Sequence, residues 1–505
     1  MVVTATLSET LSTLAQREQY RDKYWLKKDP ILHDRLLWRA QTFRHMVHLL
    51  PGQSILELGC GKGLFTRQLS AVTKGENPIT SLTFDPTNLS SFDLPSVTFS
   101  YAESLPGPLQ GSHFDFIVAM DMLDKENASE FLQHVYELLE PGGQVIFYES
   151  NPWNIMLQLR RFFQKQVGSK DPRGLMSRPE LYELISEIGY INIFTVYNDF
   201  VYAPLSSKMI WTLRNLSILL ENAPTIRTLA GSILIHAKKP PRVKTLPKIS
   251  LCKHAGLTST ISVVVPCHNE EMNVEPLVNR LMDFYGAYIH ELILVDDNSK
   301  DRTKDVIFEL QKRYPQVKPV IRTPPNGVGR AIRDGYKAAT GKYILSMDCD
   351  FQHLLPELQD LFDELATGAD VVVGSRFSRH SVLLNYPFKK IVANRAFHAL
   401  ARIMLWHSFR DLTNNLKIIR RDIAETLPFT QNGFAINAET GFLPMLAGYE
   451  VREVPISWIN RGVDMGVSSF KLIKVGGGYW HVLLGLWKQQ ILKKLNPKKS
   501  APNKK

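Results

Sequence analysis

Asp348 and Asp350 stand in the run Tyr343-Ile-Leu-Ser-Met-Asp-Cys-Asp-Phe-Gln-His353, just after a short apolar stretch that reads as a buried strand. A spacing of two points both carboxylates the same way. Two hard oxygen ligands with open positions suit Mg²⁺ or Mn²⁺, which can bridge a diphosphate and neutralise charge developing on a leaving group. An isolated Asp-x-Asp also occurs as a solvated acidic turn, so the surroundings decide.

Those surroundings repeat one arrangement. Strand-like Ile261 to Pro266 runs into Cys267-His268-Asn269-Glu270-Glu271, and Leu292 to Val295 runs into Asp296-Asp297-Asn298-Ser299. Asn326-Gly327-Val328-Gly329 opens a helix-like segment, and Val371 to Val373 leads into Gly374-Ser375-Arg376. Acids, glycines and polar turns thus recur after apolar strands, and in a parallel α/β sheet that edge binds ligands.

Over about Ser262 to Lys471 these motifs resemble a family 2 glycosyltransferase of GT-A fold, nearest the dolichyl-phosphate mannose synthase group. The resemblance implies that Pro266, Glu270, Asp296 and Asp297 contact the nucleoside of a nucleotide sugar, with Asn326 and Gly329 also on the substrate side. It implies that Asp348, Asp350 and Gln352 hold the metal, that Arg376, Arg461 and Lys471 meet phosphate, and that Glu439 stands where a base commonly lies. Asp350, Glu439 and Arg461 are then the expected catalytic set. The chain departs from the pattern at Asp411-Leu412-Thr413, which Asn414-Asn415-Leu416 follows in place of Ser-Gly-Phe. Asparagine tolerates left-handed backbone, so the turn can survive while the acceptor pocket differs.

The first half carries another constellation. Ser54 to Leu58 reads as a strand ending in Glu57-Leu58-Gly59-Cys60-Gly61-Lys62-Gly63, before a helix start at Leu64. Glycines at 59, 61 and 63 let backbone pass close beneath a ligand. The Gly-x-Gly-x-Gly spacing is not that of dinucleotide binders, whose last gap serves a pyrophosphate, so a cofactor without phosphates fits better. Asp85 follows a second strand and is placed to bind two ribose hydroxyls; Glu103 follows a third; Phe114 to Val118 makes a fourth; and Glu140-Pro141-Gly142-Gly143 turns into a fifth, Val145 to Tyr148.

This order resembles the class I S-adenosylmethionine-dependent methyltransferases over about Gly52 to Ala237, which implies that Glu57, Gly59, Gly61, Gly63, Asp85 and Glu103 bind S-adenosylmethionine. A domain that keeps the fold without the chemistry, serving as a binding or docking module, stays open. Asn151-Pro152-Trp153 lies one strand later than the motif of enzymes that methylate nucleic-acid amines, and Ala119-Met120-Asp121-Met122 occupies the usual place. No nucleic-acid substrate is expected. Methyl transfer from an activated sulfonium depends chiefly on in-line placement, so no base is assigned.

The elements that position these residues need room. At 505 residues the chain exceeds one core, and 44% hydrophobic with 22% charged residues is ordinary for globular protein. The expected fold class is α/β with two Rossmann-like domains: 1–237 a class I methyltransferase fold, 238–260 a proline- and lysine-containing linker, 261–475 a GT-A fold, and 476–505 an amphipathic segment with a basic tail. Four cysteines show neither zinc spacing nor a disulfide framework, which fits a reducing compartment. There is no signal-peptide pattern and no uncharged apolar run long enough to span a bilayer, so the expected location is cytoplasmic.

Membrane contact from that side remains part of the expectation. The net charge is +11, with seven lysines and no acid from Lys488 to the C-terminus. Aromatics flanking leucines from Gly478 to Trp487 resemble an interfacial anchor, and Tyr386 to Trp406 has the charge density of a helix lying on a bilayer. A packed terminal helix is the alternative. The expected activity joins metal-dependent, inverting sugar transfer from a nucleotide sugar to a polyprenyl phosphate with methyl transfer to an unnamed acceptor. A saccharide or other glycan hydroxyl is the alternative acceptor.

Overall fold

The computed structural model describes residues 13–27, 29–88, 94–166, 173–201, 207–241, 249–459 and 472–495. The chain divides into two compact units, Met1–Thr245 with Leu384–Phe388, and Leu246–Leu383 with Lys389–Lys505.

The first unit is built on β1 (Ile55–Leu58), β2 (Ile79–Thr83), β3 (Val97–Tyr101), β4 (Phe114–Met120), β5 (Leu139–Ser150), β6 (Ile191–Asn198) and β7 (Ser232–Lys238). Their order in the sheet is β3-β2-β1-β4-β5-β7-β6, with β7 antiparallel to both its neighbours and the other pairs parallel. This is the class I methyltransferase fold. The central strands are apolar on both faces, as a sheet covered on both sides requires, and Leu56, Leu58, Ile117, Val145 and Phe147 share one core. β5 takes in the Glu140 to Gly143 stretch that reads as a turn in sequence. A register shift opposite Phe114 and Phe116, with Gly142 in left-handed backbone, accommodates it.

Local chemistry sets the helix starts. Asp29 caps the helix Pro30–Met46 by accepting from the Ile31 N–H at 2.9 Å, with proline in the first turn where its missing N–H costs nothing. Ser177 and Glu180 form a capping box on Arg178–Ile188.

The second unit contains β8 (Ile261–Cys267), β9 (Ile289–Asp296), β10 (Val317–Ile321), β11 (Tyr343–Ser346), β12 (Val371–Ser375), β13 (Val382–Leu384), β14 (Lys417–Arg420), β15 (Val451–Pro455) and β16 (Ser457–Ile459). The large sheet runs β10-β9-β8-β11-β14-β12-β15, with β14 antiparallel between β11 and β12, and β13 pairs with β16 separately. Leu251 and Leu257, within the stretch read from sequence as linker, are buried, and the Leu251 N–H donates to the Phe284 carbonyl at 2.8 Å.

Each unit reverses its strand order at one place. In the first, β1, β2 and β3 step outward one way while β4 lies on the other side of β1. In the second, β8, β9 and β10 step outward while β11 lies on the other side of β8. Loops leaving neighbouring strands at such a switch point diverge and open a crevice at the carboxyl edge. Glu57 lies in β1 and Gly59 to Gly63 follows it, while Asp348 to Asp350 follows β11. Topology therefore brings both sequence motifs to the place where a ligand fits.

Candidate active sites

In the second unit β8 and β11 are parallel neighbours, so Cys267 and Cys349 meet at their ends and the Cys349 thiol is hydrogen-bonded to Cys267. Asp348 and Asp350 flank this contact. Burial, then the nearby Asp350 charge, pushes the Asp348 carboxyl up to about 7. The Asn415 amide donates to Asp348 Oδ1 at 2.7 Å and is itself fixed by Ser346 Oγ, which donates to Asn415 Oδ1 at 2.8 Å. Glu270 lies on the same side, its carboxyl raised by burial and by Asp350, and accepts from Asn273.

A buried carboxylate whose charge is disfavoured, as at Asp348, with Asp350 beside it fits a divalent cation. Among the described residues no group of three or more His, Cys, Asp or Glu could hold a metal ion. The pair would therefore supply part of a coordination sphere, leaving positions for a diphosphate and water. Arg461, Lys471 and the side chain of Gln352 lie outside the described residues.

Other expected residues are placed with defined partners. Asp297 pairs with Arg322 and accepts from the Gly327 N–H at 2.6 Å, which ties the β9 loop to the Asn326 turn. Asp296 accepts from the Ser299 N–H, and Asn326 from the Asn298 amide. Pro266 is the last but one residue of strand β8, half-buried. Gly329 has backbone pressed on it: an added Cβ would come within 2.3 Å of the Gln431 carbonyl oxygen. The Thr430 to Asn432 segment responsible is held by Glu439, whose carboxylate accepts from Thr430 N at 2.7 Å, Thr430 Oγ1 at 2.6 Å and Gln431 N at 2.9 Å.

Arg376 donates to both oxygens of fully buried Asp411 at 2.7 and 3.0 Å, and Asp411 also faces His398 at 3.3 Å. The Arg376 guanidinium and the hydrogen bond from His398 hold the Asp411 carboxyl well below the ordinary carboxylate range against its burial. Lys417, equally buried, donates to the Leu412 and Asn437 carbonyls and to Thr440 Oγ1 at 2.8 to 3.1 Å, and burial pulls its ammonium down to about 7. Lys417 and Asp411 did not stand out in the sequence; the only signal was the unusual Asp-Leu-Thr-Asn-Asn-Leu-Lys run itself.

In the first unit Gly59, Gly61 and Gly63 all have positive φ (69°, 53° and 66°), a backbone that side chains rarely adopt. Glu57 points inward, accepting from Thr66 at 2.6 Å and Ser81 at 2.9 Å, and burial raises it to about 7. Asp85 ends β2's loop and accepts from the Thr87 N–H and hydroxyl. Glu103 is exposed beyond β3.

The helix Thr13–Trp25 lies directly over this loop. Glu18 accepts from the N–H groups of Gly61, Phe84 and Asp85 and from Thr83; Gln19 donates to Asp85 at 2.8 Å; and Asp22 accepts from Lys62 N at 3.0 Å. Arg21 donates to the Gly59 carbonyl. A Cβ on Gly61 would meet Asp22 at 2.2 Å. The glycine loop and Asp85 have the donor set for a ribose-bearing cofactor, and Glu18 and Gln19 engage those same groups, so the site fits such a ligand once they give way. In sequence these residues read only as a polar helix; nothing distinguishes a charged face turned inward from one turned to water.

Residues 31–193 match the family model described as a methyltransferase domain, and residues 262–427 the model described as glycosyl transferase family 2. The chain is 30% identical over 181 residues to a dolichol-phosphate mannosyltransferase of Pyrococcus furiosus, which covers 35% of this chain and 51% of that one. It is 27% identical over 218 residues to a polyprenol monophosphomannose synthase of Mycolicibacterium smegmatis, covering 42% of this chain and 81% of that one. The chain thus spans about half the length of the first relative and about four fifths of the second. Among solved structures, a plantazolicin methyltransferase in complex with SAH aligns with 45% of this chain and 94% of its own, at 15% identity and a TM-score of 0.34.

Proposed function

The chain joins a methyltransferase domain to a family 2 glycosyl transferase domain, and from that premise we propose that it transfers a sugar from a nucleotide sugar to a polyprenyl phosphate. The observation that carries this reading is the division of labour among the acids. Asp348 and Asp350 are crowded and suited to a cation, whereas Glu439 has both carboxylate oxygens engaged by Thr430 and Gln431.

A sugar hydroxyl needs a base within reach, while a phosphate monoester arrives ionised and needs only cations to orient it. A divalent ion on the aspartate pair would neutralise charge on the departing nucleotide. Arg376, fixed by Asp411, would face phosphate, with Arg461 and Lys471 in the same role. The relatives' names, both polyprenol- or dolichol-phosphate mannosyl enzymes, agree with this acceptor.

Membrane contact follows from the same acceptor. The helix Leu472–Leu495 buries Val482, Leu483 and Leu486, packs Tyr479 against Phe397 of the helix Phe388–Leu405, and turns Trp480, Leu484, Trp487 and Ile491 outward at helical spacing. Ile403 and Trp406 are also exposed. No helix among the described residues is long and apolar enough to cross a membrane; these faces suit the interface. The N-terminal domain would bind S-adenosylmethionine through Asp85 and the glycine loop and methylate an acceptor of the same lipid-linked kind.

Incubating the protein with a lipid extract, Mn²⁺ and labelled nucleotide sugars should make one label lipid-soluble, and Asp350→Asn should abolish this without unfolding the unit. Transfer to a soluble saccharide, lost in Glu439→Gln with nucleotide-sugar binding intact, would replace the lipid phosphate with a hydroxyl acceptor.

A further inference from the structure

One exposed apolar face in the first unit has no part in the sites above. The helix Ile155–Gln166 follows β5 at the carboxyl edge of the sheet, the edge that carries the glycine loop and Asp85. Ile155, Met156, Leu159, Phe162 and Phe163 recur at helical spacing on one side, preceded by Trp153, and all are about half exposed or more: Trp153 is 57%, and Phe162 and Phe163 are each 60%. An amphipathic helix normally turns such a stripe into the core; this one turns it to solvent.

The charges within its own stretch of sequence have one sign. From Asn151 to Lys170 the sequence has Arg160, Arg161, Lys165 and Lys170 and no acid. Arg160 lies 4.6 Å from the centre of the Tyr24 ring, and Arg161 donates to the Arg173 carbonyl at 3.0 Å, so the helix is anchored to the unit by its basic side while the apolar side is outward. Tyr24 belongs to Thr13–Trp25, the helix whose Glu18 and Gln19 engage the cofactor-site groups.

We propose that the Ile155–Gln166 helix docks the methyltransferase unit on an anionic lipid bilayer, and that the methyl acceptor is therefore a headgroup or lipid-linked group presented at the membrane surface. An apolar stripe ending in aromatics, on a helix whose only charged residues are the cations Arg160, Arg161 and Lys165, matches the interface between acyl chains and anionic headgroups. The helix leaves the strand edge where methyl transfer would occur, so docking through it brings lipid to the mouth of the site. The acceptor class rests on the methyltransferase reading; the docking surface does not.

The test uses the full chain with Cys252→Ser and Phe162→Cys, labelled at position 162 with an environment-sensitive nitrobenzoxadiazole dye. Vesicles of equal parts phosphatidylcholine and phosphatidylglycerol should shift its emission to the blue; pure phosphatidylcholine vesicles should not, and neither should affect a control dye at Glu187→Cys. Lys165→Gln should weaken the vesicle titration about fivefold, the worth of one cation near an anionic surface.

Flotation of the protein with no shift at position 162 would overturn the docking surface. A shift produced by protein concentration without lipid, with a dimer on light scattering, would assign the face to a second copy and overturn it too. Calorimetry with S-adenosylhomocysteine separates the two readings: absent binding with the shift intact removes the methyl acceptor and leaves the membrane contact, and the reverse removes only the contact.

Discussion

Asn415 illustrates how one side chain sets the behaviour of the metal-suited pair. Held by Ser346 and donating to Asp348, it fixes which Asp348 oxygen remains for a cation. Groups behind metal ligands typically tune affinity by about 10- to 100-fold, so Asn415→Ala should raise the Mn²⁺ concentration needed for half-maximal sugar transfer by about tenfold. Unchanged metal dependence in a titration would remove Asn415 from this role. Lys417 makes a pH-dependent contribution. Its folded pKa, pulled down to about 7 by burial, lies below the ordinary lysine value of about 10.4. The unfolded chain therefore binds the extra proton between those values, and stability should rise with pH from about 7 to 10. Lys417→Met should cost about 1 to 3 kcal/mol by stranding the Leu412 and Asn437 carbonyls, and should flatten that rise. Urea midpoints at pH 7 and 9 for both proteins measure it; parallel curves would contradict the depressed lysine.

The helix Thr13–Trp25 is the element with most influence on the first site. Glu18 is almost wholly buried and its carboxyl is raised, chiefly by that burial, while it accepts from Gly61, Phe84 and Asp85. A ligand using those N–H groups must displace it. Glu18→Ala should therefore tighten S-adenosylhomocysteine binding by at least about tenfold, the worth of one charge-assisted hydrogen bond no longer broken. Calorimetry showing weaker binding would mean that the helix contributes to the site. The helix Phe388–Leu405 was legible in sequence as an amphipathic segment with dense charges. Its partner Leu472–Leu495 was legible as aromatic and leucine-rich, but only the packing of Phe397 on Tyr479 separates the buried from the outward residues.

At the scale of the whole molecule, each unit has its own core, one around Leu56, Ile117 and Phe147 and the other around Val264, Ile344 and Phe442. Independent cores predict independent ligands. Asp350→Asn should leave S-adenosylhomocysteine affinity within about twofold of wild type, and Asp85→Ala should do the same for nucleotide-sugar affinity, since uncoupled sites add within about 0.5 kcal/mol. Reciprocal losses by calorimetry would show coupling instead. A net charge of +11 adds a general attraction to anionic surfaces, screened as salt is raised.

The sequence by itself determined the two α/β units and the strand ends that carry Gly59 to Gly63, Asp85, Asp296, Asp348 and Arg376. These signals are local: apolar runs of strand length, glycines that relieve a left-handed backbone, and acids at fixed distance from a strand. Tertiary structure alone decided the partners. That Glu439 holds Thr430 and Gln431, that Asp411 fixes Arg376, that Asn415 orients Asp348 and that Glu18 engages the β1 and β2 loops are long-range pairings, 8 to 67 residues apart in the chain. Side-chain type states what a group can bond to, but only the sheet order, which sets β11 beside β8 and β1 beside β4, decides which groups come within reach.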